Sequence, residues 1–408
     1  ERLKMSNYET INKKYSRAFI EEIREKVKPI IEEVIKPSAE RIDKSGEFPR
    51  ESLLALAKEG WNSVTFSEKW GGLDLGYLGF SIVAEEIGKV DASTALVYAM
   101  HVGAAQVIVL YGNDDQKKRW LLPIRDGAIG TFAVSEKATR GHVWFSLSQA
   151  ERDGSDYIIN AEKSFTTSGG QADFYILQTR TPDSDDPSNI SFFIVDGHND
   201  GIVAKPWNAL GVRGSHSGPI TFNNIKVSGR DLVGYEGLGR EIMDEGANPI
   251  YILGIASVWL GVAQGALELA VKHVKNAVNK GFNNSLADHQ VIREKLAEVK
   301  IRIAGLKAWQ IDLARHYDEL LAEGQPISSL ASEVIEFKVK ASETADFAAR
   351  IAMDVAGGYG YIEGPFERLY RDARAGIPMA PSNNIARDQV AKILLELPLN
   401  LWNENERK

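Results

Sequence analysis

A buried site needs either reactive side chains or a surface shaped to hold a cofactor. The stretch AGIPMAPSNN, Ala375–Asn384, offers only the second. It carries no ionisable group, although ERLYRDAR precedes it and ARDQV follows it, and Pro378 and Pro381 stiffen it around Met379 and Ala380. In a chain that is 25% charged, such a turn faces either another part of the protein or a weakly charged ligand pocket. Upstream, AGGYGYIEGPF places Gly357, Gly358 and Gly360 after a helical run. Glycines there either bring backbone amides close to a phosphate or close the helix. No βαβ unit surrounds them, so they are not a dinucleotide fingerprint. In TFAVSE and KSFTTSGG, Ser135, Thr166, Thr167 and Ser168 could donate to a heteroaromatic ring stacked on Phe165; the same residues also suit a plain strand. LGVRGSHSGPITF adds Arg213 and His216 in a glycine-rich loop, which suits a ligand mouth or open solvent.

Other chemistries lack their residues. There is no cysteine, hence no disulfide, thiolate nucleophile or Cys-ligated metal. The seven histidines are scattered, without an H-E-x-x-H pair, so no metal site is expected. G-x-S-x-G and Walker A patterns are absent too. A net charge of −8 argues against a nucleic-acid partner, which needs a basic face. The lack of cysteine suits a cytoplasmic location. The opening ERLK before Met5 leads into no apolar run, so no signal peptide is expected. ASTALVYAMHVGAAQVIVLYG, Ala92–Gly112, is uncharged and long enough to span a membrane, but His101, Gln106 and its small residues favour a buried core helix and no membrane partner.

The elements that would position these residues fall into three blocks. Up to about Pro123 the period is helical. AFIEEIREKVKPIIEEVI puts Ile20, Ile23, Val27, Ile30, Ile31 and Val34 on one stripe, with a kink expected at Pro29. ESLLALAKEG ends at Gly60, and Asn113 and Asp114 start a helix that stops at Pro123. From Gly127 to Gly234 the period is two, with short strands and turns that read as an antiparallel sandwich or barrel. Long helices follow at about Arg240–Asn279, Asp288–Glu323, Ile327–Ala356 and Asn384–Leu399, a four-helix bundle. The expected class is α+β and multi-domain: an N-terminal α-helical domain at 1–126, a middle antiparallel β-sandwich or barrel at 127–235, and a C-terminal bundle at 236–408. At 408 residues the chain exceeds what one core supports.

On that layout, FSEKWGGLDLGYLGFSIVAEEIGKVDASTAL, YGNDDQKKRWLLP, YIINAEKSFTTSGGQADFYIL, LGVRGSHSGPITFNNIKV, LGVAQGALELA, ADHQVIREKLAEV and VAGGYGYIEGPFERLYRDAR occur in one order. Together they resemble the acyl-CoA dehydrogenase family over nearly the whole chain. The resemblance implies FAD, a homotetramer, an acyl-CoA thioester as small-molecule substrate, and an electron-transfer partner. It places flavin-ring contacts on Phe132, Val134, Ser135, Phe165 and Thr167, and the glycine turn on Gly357 and Gly358. It places nucleotide contacts on Ser382 and Asn384 and, across a subunit interface, on Phe282 and Gln290.

The implied chemistry is loss of a proton from the carbon α to a thioester and of a hydride from the β carbon. The family's glutamate base falls on Ala380, which cannot take a proton. A minority of the family carries the base on the first bundle helix, here Ile250 or Tyr251, and a phenol is a poor base at neutral pH. Asp244 and Glu245 lie about two turns upstream and are the remaining acids in reach if Pro249 bends the helix. The family's T-E-P-x-x-G-S-D loop reads SEKATRGHVWF, so Lys137, Arg140 and His142 are new. The Asp/Arg pair that helps hold CoA has no match in GANPIYILG. The arginine that reaches a neighbouring subunit's FAD falls on Asn279, beside Lys280, and the glutamine before the glycine turn is Asp354. Alternatives to dehydrogenation are a flavin-dependent monooxygenase of the same fold, or a non-catalytic partner in a mixed tetramer.

Overall fold

The computed structural model describes residues 14–279, 281 and 283–399. The ERLK opening and Phe282 lie outside the described residues. Helix α1, Arg17–Ile30, is capped by Ser16 and buries Ile20, Ile23 and Val27. The kink expected at Pro29 takes the form of a π turn, Ile31–Ile35, before α2, Lys36–Ser45. Proline removes a ladder N–H, and the extra residue of the wider turn moves the buried stripe, so that Ile35 rather than Val34 is fully covered. Helix α3, Arg50–Lys58, ends before Gly60, which is left-handed. Helix α4, Gly76–Gly88, precedes α5, Ala92–Tyr111. Every residue from Ala92 to Ile108 is buried, because the bundle, α4 and the first strand surround α5. Its apolar window and that of the 239–276 helical run, both long enough to cross a membrane, are 89% buried inside the fold. Helix α6, Asp114–Trp120, begins with a capping box between Asn113 and Gln116.

The central sheet contains β1 (Gly130–Ala133), β2 (Gln149–Asp153), β3 (Asp156–Lys163), β4 (Phe174–Arg180), β5 (Ile190–Asp196), β6 (Ile202–Ala204) and β7 (Ile220–Val227). Its order is β1-β4-β2-β3-β7-β6, with β5 on β4. The expected antiparallel sheet is mixed: β1 pairs parallel with β4, Gly130 opposite Phe174, and β2 meets β4 in parallel at Gln149–Arg180. Residues 134–173 between β1 and β4 supply the long excursion that a parallel pair needs. Both faces of β4 and β5 are covered. Phe174, Ile176, Phe192 and Ile194 join the core beneath α5, while Tyr175, Leu177, Phe193 and Val195 join the core within the sheet. That double burial explains their continuous apolar runs. His101 on α5 accepts the Gly130 N–H on Nδ1 at 2.9 Å and so donates from Nε2 to Asn62 O at 3.1 Å, fixing where β1 starts.

The C-terminal helices are α7 (Asn248–Asn276), α8 (Gln290–Glu323), α9 (Ala331–Ala356), α10 (Pro365–Arg374) and α11 (Asn383–Leu394). A π turn, Ile242–Ala247, leads into α7. Helix α7 lies hard against α4: a Cβ on Gly261 would stand 2.1 Å from Glu85 O, and one on Gly265 2.2 Å from Lys89 O. A cavity lies nearer the start of α7, between the sheet and the bundle, where Pro249, Tyr251 and Ile252 face it.

Candidate functional site

The cavity measures about 1140 Å³ and is open to solvent on one side. Its floor includes Leu96 and Met100 of α5, one wall comes from the sheet, and the other from α7, α9 and the 375–382 turn.

On the sheet wall, alternation along β3 turns Tyr157, Ile159, Ala161 and Lys163 inward. Lys163 is buried and donates to Glu136 Oε1 at 2.7 Å, Gln178 O at 2.7 Å and Val134 O at 3.3 Å. Burial would raise the Glu136 pKa, but Lys163, the Ser146 hydroxyl and the Leu147 N–H hold it down at about 2. The pair ties β1 to β3 and β4 and leaves Glu136 with no role as a base. Beyond it, Ser135, Ser164, Phe165 and Thr167 face the cavity. Phe165 is exposed there, and its ring meets Trp207 edge-on at 6.5 Å. Thr167 Oγ1 shares a hydrogen bond with Ser217 Oγ at 2.9 Å. The buried Ser164 hydroxyl of this wall, and that of Thr166 behind it, have no partner among the described residues. An apolar slot with an exposed aromatic face and unspent hydroxyls fits a planar heteroaromatic ring.

On the bundle wall stands the neutral turn. Three of its consecutive carbonyls are held from behind. Tyr251 OH donates to Ala380 O at 2.7 Å. Lys338 Nζ donates to Met379 O at 2.9 Å, Pro381 O at 2.7 Å and Asn383 Oδ1 at 2.9 Å. Ser342 Oγ bonds Asn383 as well, at 3.1 Å. Burial raises the Tyr251 pKa further above 10, so the phenol donates and takes no proton at neutral pH.

The two upstream acids are not free. Asp244 lines the cavity but accepts from Trp144 Nε1 and Arg240 Nε, each at 2.6 Å. Glu245 turns away and caps the helical turn Ile327–Leu330, accepting from Ile327 N at 2.7 Å, Ser328 N at 3.1 Å and the Ser328 hydroxyl. Pro249 directly follows the π turn Ile242–Ala247, within one continuous helical run, and brings neither acid to the cavity as a free group. Neither acid is poised as a base.

Of the residues named from sequence, Ser135, Phe165, Thr167, Ala380, Ser382, Asp244 and Tyr251 share this cavity. Phe132 and Val134 are not among its lining side chains and pack into the core. Gly357, Gly358, Asp354, Gln290 and Asn384 are exposed on the outer bundle, and Asp354 is paired with Lys295 at 3.7 Å. Gly357 has φ 58° and closes α9. In the 210–219 loop the cavity is reached by Val212 and Ser217, not by Arg213 or His216, whose Nε2 bonds Gly46 O at 2.9 Å. Lys338 was missed from the sequence. Its signal was a lone cation on the buried stripe Val334, Lys338, Ala341, Ala345 of α9.

Residues 19–128 match the acyl-CoA dehydrogenase N-terminal domain, 131–225 its middle domain and 253–395 its C-terminal domain. An acyl-CoA dehydrogenase from Bacillus subtilis (strain 168) is 31% identical over 377 residues, covering 91% of this chain and 97% of that one. The solved butyryl-CoA dehydrogenase from Megasphaera elsdenii is 27% identical with a TM-score of 0.84, covering 92% of this chain and 98% of its own. The glutaryl-coenzyme A dehydrogenase–glutaryl-CoA complex is 25% identical with a TM-score of 0.86, covering 94% and 96%.

Proposed function

Since the chain belongs to the acyl-CoA dehydrogenase family, we propose that it is an FAD-dependent oxidoreductase that removes the α and β hydrogens of an acyl thioester. The observation that carries this reading is the apolar cavity between sheet and bundle, with Phe165 and the hydroxyl-bearing Ser135, Ser164 and Thr167 on one wall and the Ala380 turn on the other. A relative of the same fold is solved with glutaryl-CoA, which supports a thioester ligand. Bound in the cavity, the flavin would accept hydride from the β carbon.

The chain's own residues do the rest. Ser135, Ser164 and Thr167 would hold the ring by hydrogen bonds, with Phe165 against its face. Leu96, Met100 and Ile252 exclude water around an acyl chain. By the sequence resemblance the family's carboxylate falls on Ala380 of this turn, so in this reading the α proton leaves to solvent rather than to a side chain. Turnover is therefore slow on simple acyl thioesters. At the far end of the bundle, Gly357 and Gly358 sit beside exposed Tyr359, Tyr361 and Ile362. That surface supports a homotetramer in which a second copy covers it and completes the nucleotide site. A flavin-dependent monooxygenase is the second reading, favoured by the engagement of both Asp244 and Glu245 in structural bonds.

The test is the anaerobic visible spectrum of the purified protein with a panel of acyl-CoA thioesters. Slow bleaching of a bound-flavin band by one of them is expected. A flavin band that no thioester bleaches, together with oxygen-dependent hydroxylation of a small molecule, would replace dehydrogenation by the second reading.

A further inference from the structure

Lys338 is fully buried in the bundle and makes no ion pair with any carboxylate among the described residues. Its three bonds go to three neutral oxygens. Only an ammonium has three protons to donate, so the geometry describes a charged group caged by dipoles, a state that burial confines to pH below about 7. The cage is the cavity wall itself. Met379 and Pro381, whose carbonyls accept two of the bonds, both line the cavity, as do Val334 and Ile335 one turn earlier on α9. One layer of turn atoms separates the ammonium from the ligand space. Helix α11 starts at the same wall, with Ser382 at its N-cap and in the cavity lining, and a helix N-terminus adds potential of the same sign.

No acid among the described residues cancels this charge. Glu136 is paired with Lys163 on the opposite wall, Asp244 with Arg240, and Glu162 is exposed at the rim. The charged group that does act on Lys338 is a cation, Arg387 of α11, itself paired with Glu343. Below about pH 7 a net positive potential therefore stands behind Ala380.

We propose that Lys338 is a positioning residue whose buried ammonium acts through the 379–383 turn to stabilise negative charge on the α carbon and carbonyl oxygen of a thioester held against Ala380. The reaction it favours is loss of the α proton: the Cα–H bond breaks, the electron pair moves onto the thioester carbonyl oxygen, and the proton goes to solvent. Where relatives use a carboxylate to take the proton, this chain lowers the cost of releasing it. The inference rests on the thioester reading above.

The probe is acetoacetyl-CoA, whose enolate gives a long-wavelength charge-transfer band beside oxidised flavin and needs no turnover. Its enolisation pKa on the flavin-loaded protein is measured by titrating that band. Two variants remove the potential by different routes. Lys338→Gln removes the charge. Asn383→Asp leaves the lysine in place but sets a carboxylate at the atom it already bonds, at 2.9 Å in the unaltered chain. Both are expected to raise the enolisation pKa by roughly one unit, a tenfold weaker enolate, as suits one buried charge acting through protein. Asn383→Asp is near-isosteric and carries the test if Lys338→Gln does not fold. If a variant keeps its flavin and binds acetoacetyl-CoA with an unchanged enolisation pKa, Lys338 is only a structural tie and the proposal fails while the thioester reading stands. If the unaltered flavin-loaded protein gives no enolate band, the thioester reading fails and the proposal with it.

Discussion

Two lysines lie buried on opposite walls of one cavity and are treated in opposite ways. On the sheet wall Lys163 faces Glu136 at 2.7 Å, and the pair is further bonded by backbone and Ser146. On the bundle wall Lys338 faces carbonyls and an amide, with no acid. The first lysine closes a joint between strands and leaves the wall neutral. The second holds a turn and leaves the wall positive. A buried cation without a counterion is costly, and under the proposal above that cost is borne on the bundle wall, not the sheet wall, because charge there acts on the ligand.

The largest effect that would break the comparison is on stability. Lys163→Met strands Glu136 in a buried site, and the expected loss is about 3–5 kcal/mol, the range for removing one partner of a buried pair. Urea unfolding measures it, and a loss below about 1 kcal/mol, the scale of an exposed pair, would show that the sheet-wall pair is effectively solvated.

A smaller effect sharpens the contrast through pH. Burial lowers the Lys338 pKa from 10.5 to about 7. Between those values the unfolded chain binds the proton and the folded chain does not, so this group makes stability rise with pH from about 7 towards 10.5. Glu136 behaves otherwise: its pKa falls from 4.5 to about 2, so its contribution is present above 4.5 and is lost as pH drops through about 2. Lys338→Gln should abolish the alkaline rise and leave the acid limb intact. An unchanged alkaline limb in that variant would place the titration elsewhere.

Much of this was legible in the sequence where one physical effect dominated. Seventeen successive buried residues of α5 read as a core helix because no face is polar. The runs FYILQTR and ISFFIVD read as strands, and the charge-free turn read as a pocket wall. What the sequence hid were features set by partners distant along the chain. The parallel β1–β4 pairing depends on where a long excursion returns. The π turn after Pro29 depends on packing that recovers the stripe. Glu245 looks like an available acid until residues 327–328 present their N–H groups to it, and Lys338 looks like a solvated lysine until the turn at 379–383 folds over it. Lys163 lies on the inward face of β3, but its acid, Glu136, is on a different segment, so the pair shows only in the fold.

In the proposed reaction the Ala380 turn faces the α carbon of an acyl thioester. Ala380→Glu tests it most directly, by placing a carboxylate on the wall and following anaerobic bleaching of the bound flavin by acyl-CoA in a single turnover. The account predicts faster bleaching than in the unaltered chain, on the order of 10²-fold or more, as expected for a positioned general base. A variant that folds, holds flavin and binds the thioester yet bleaches no faster would contradict it, because the turn would then face something other than the reacting carbon.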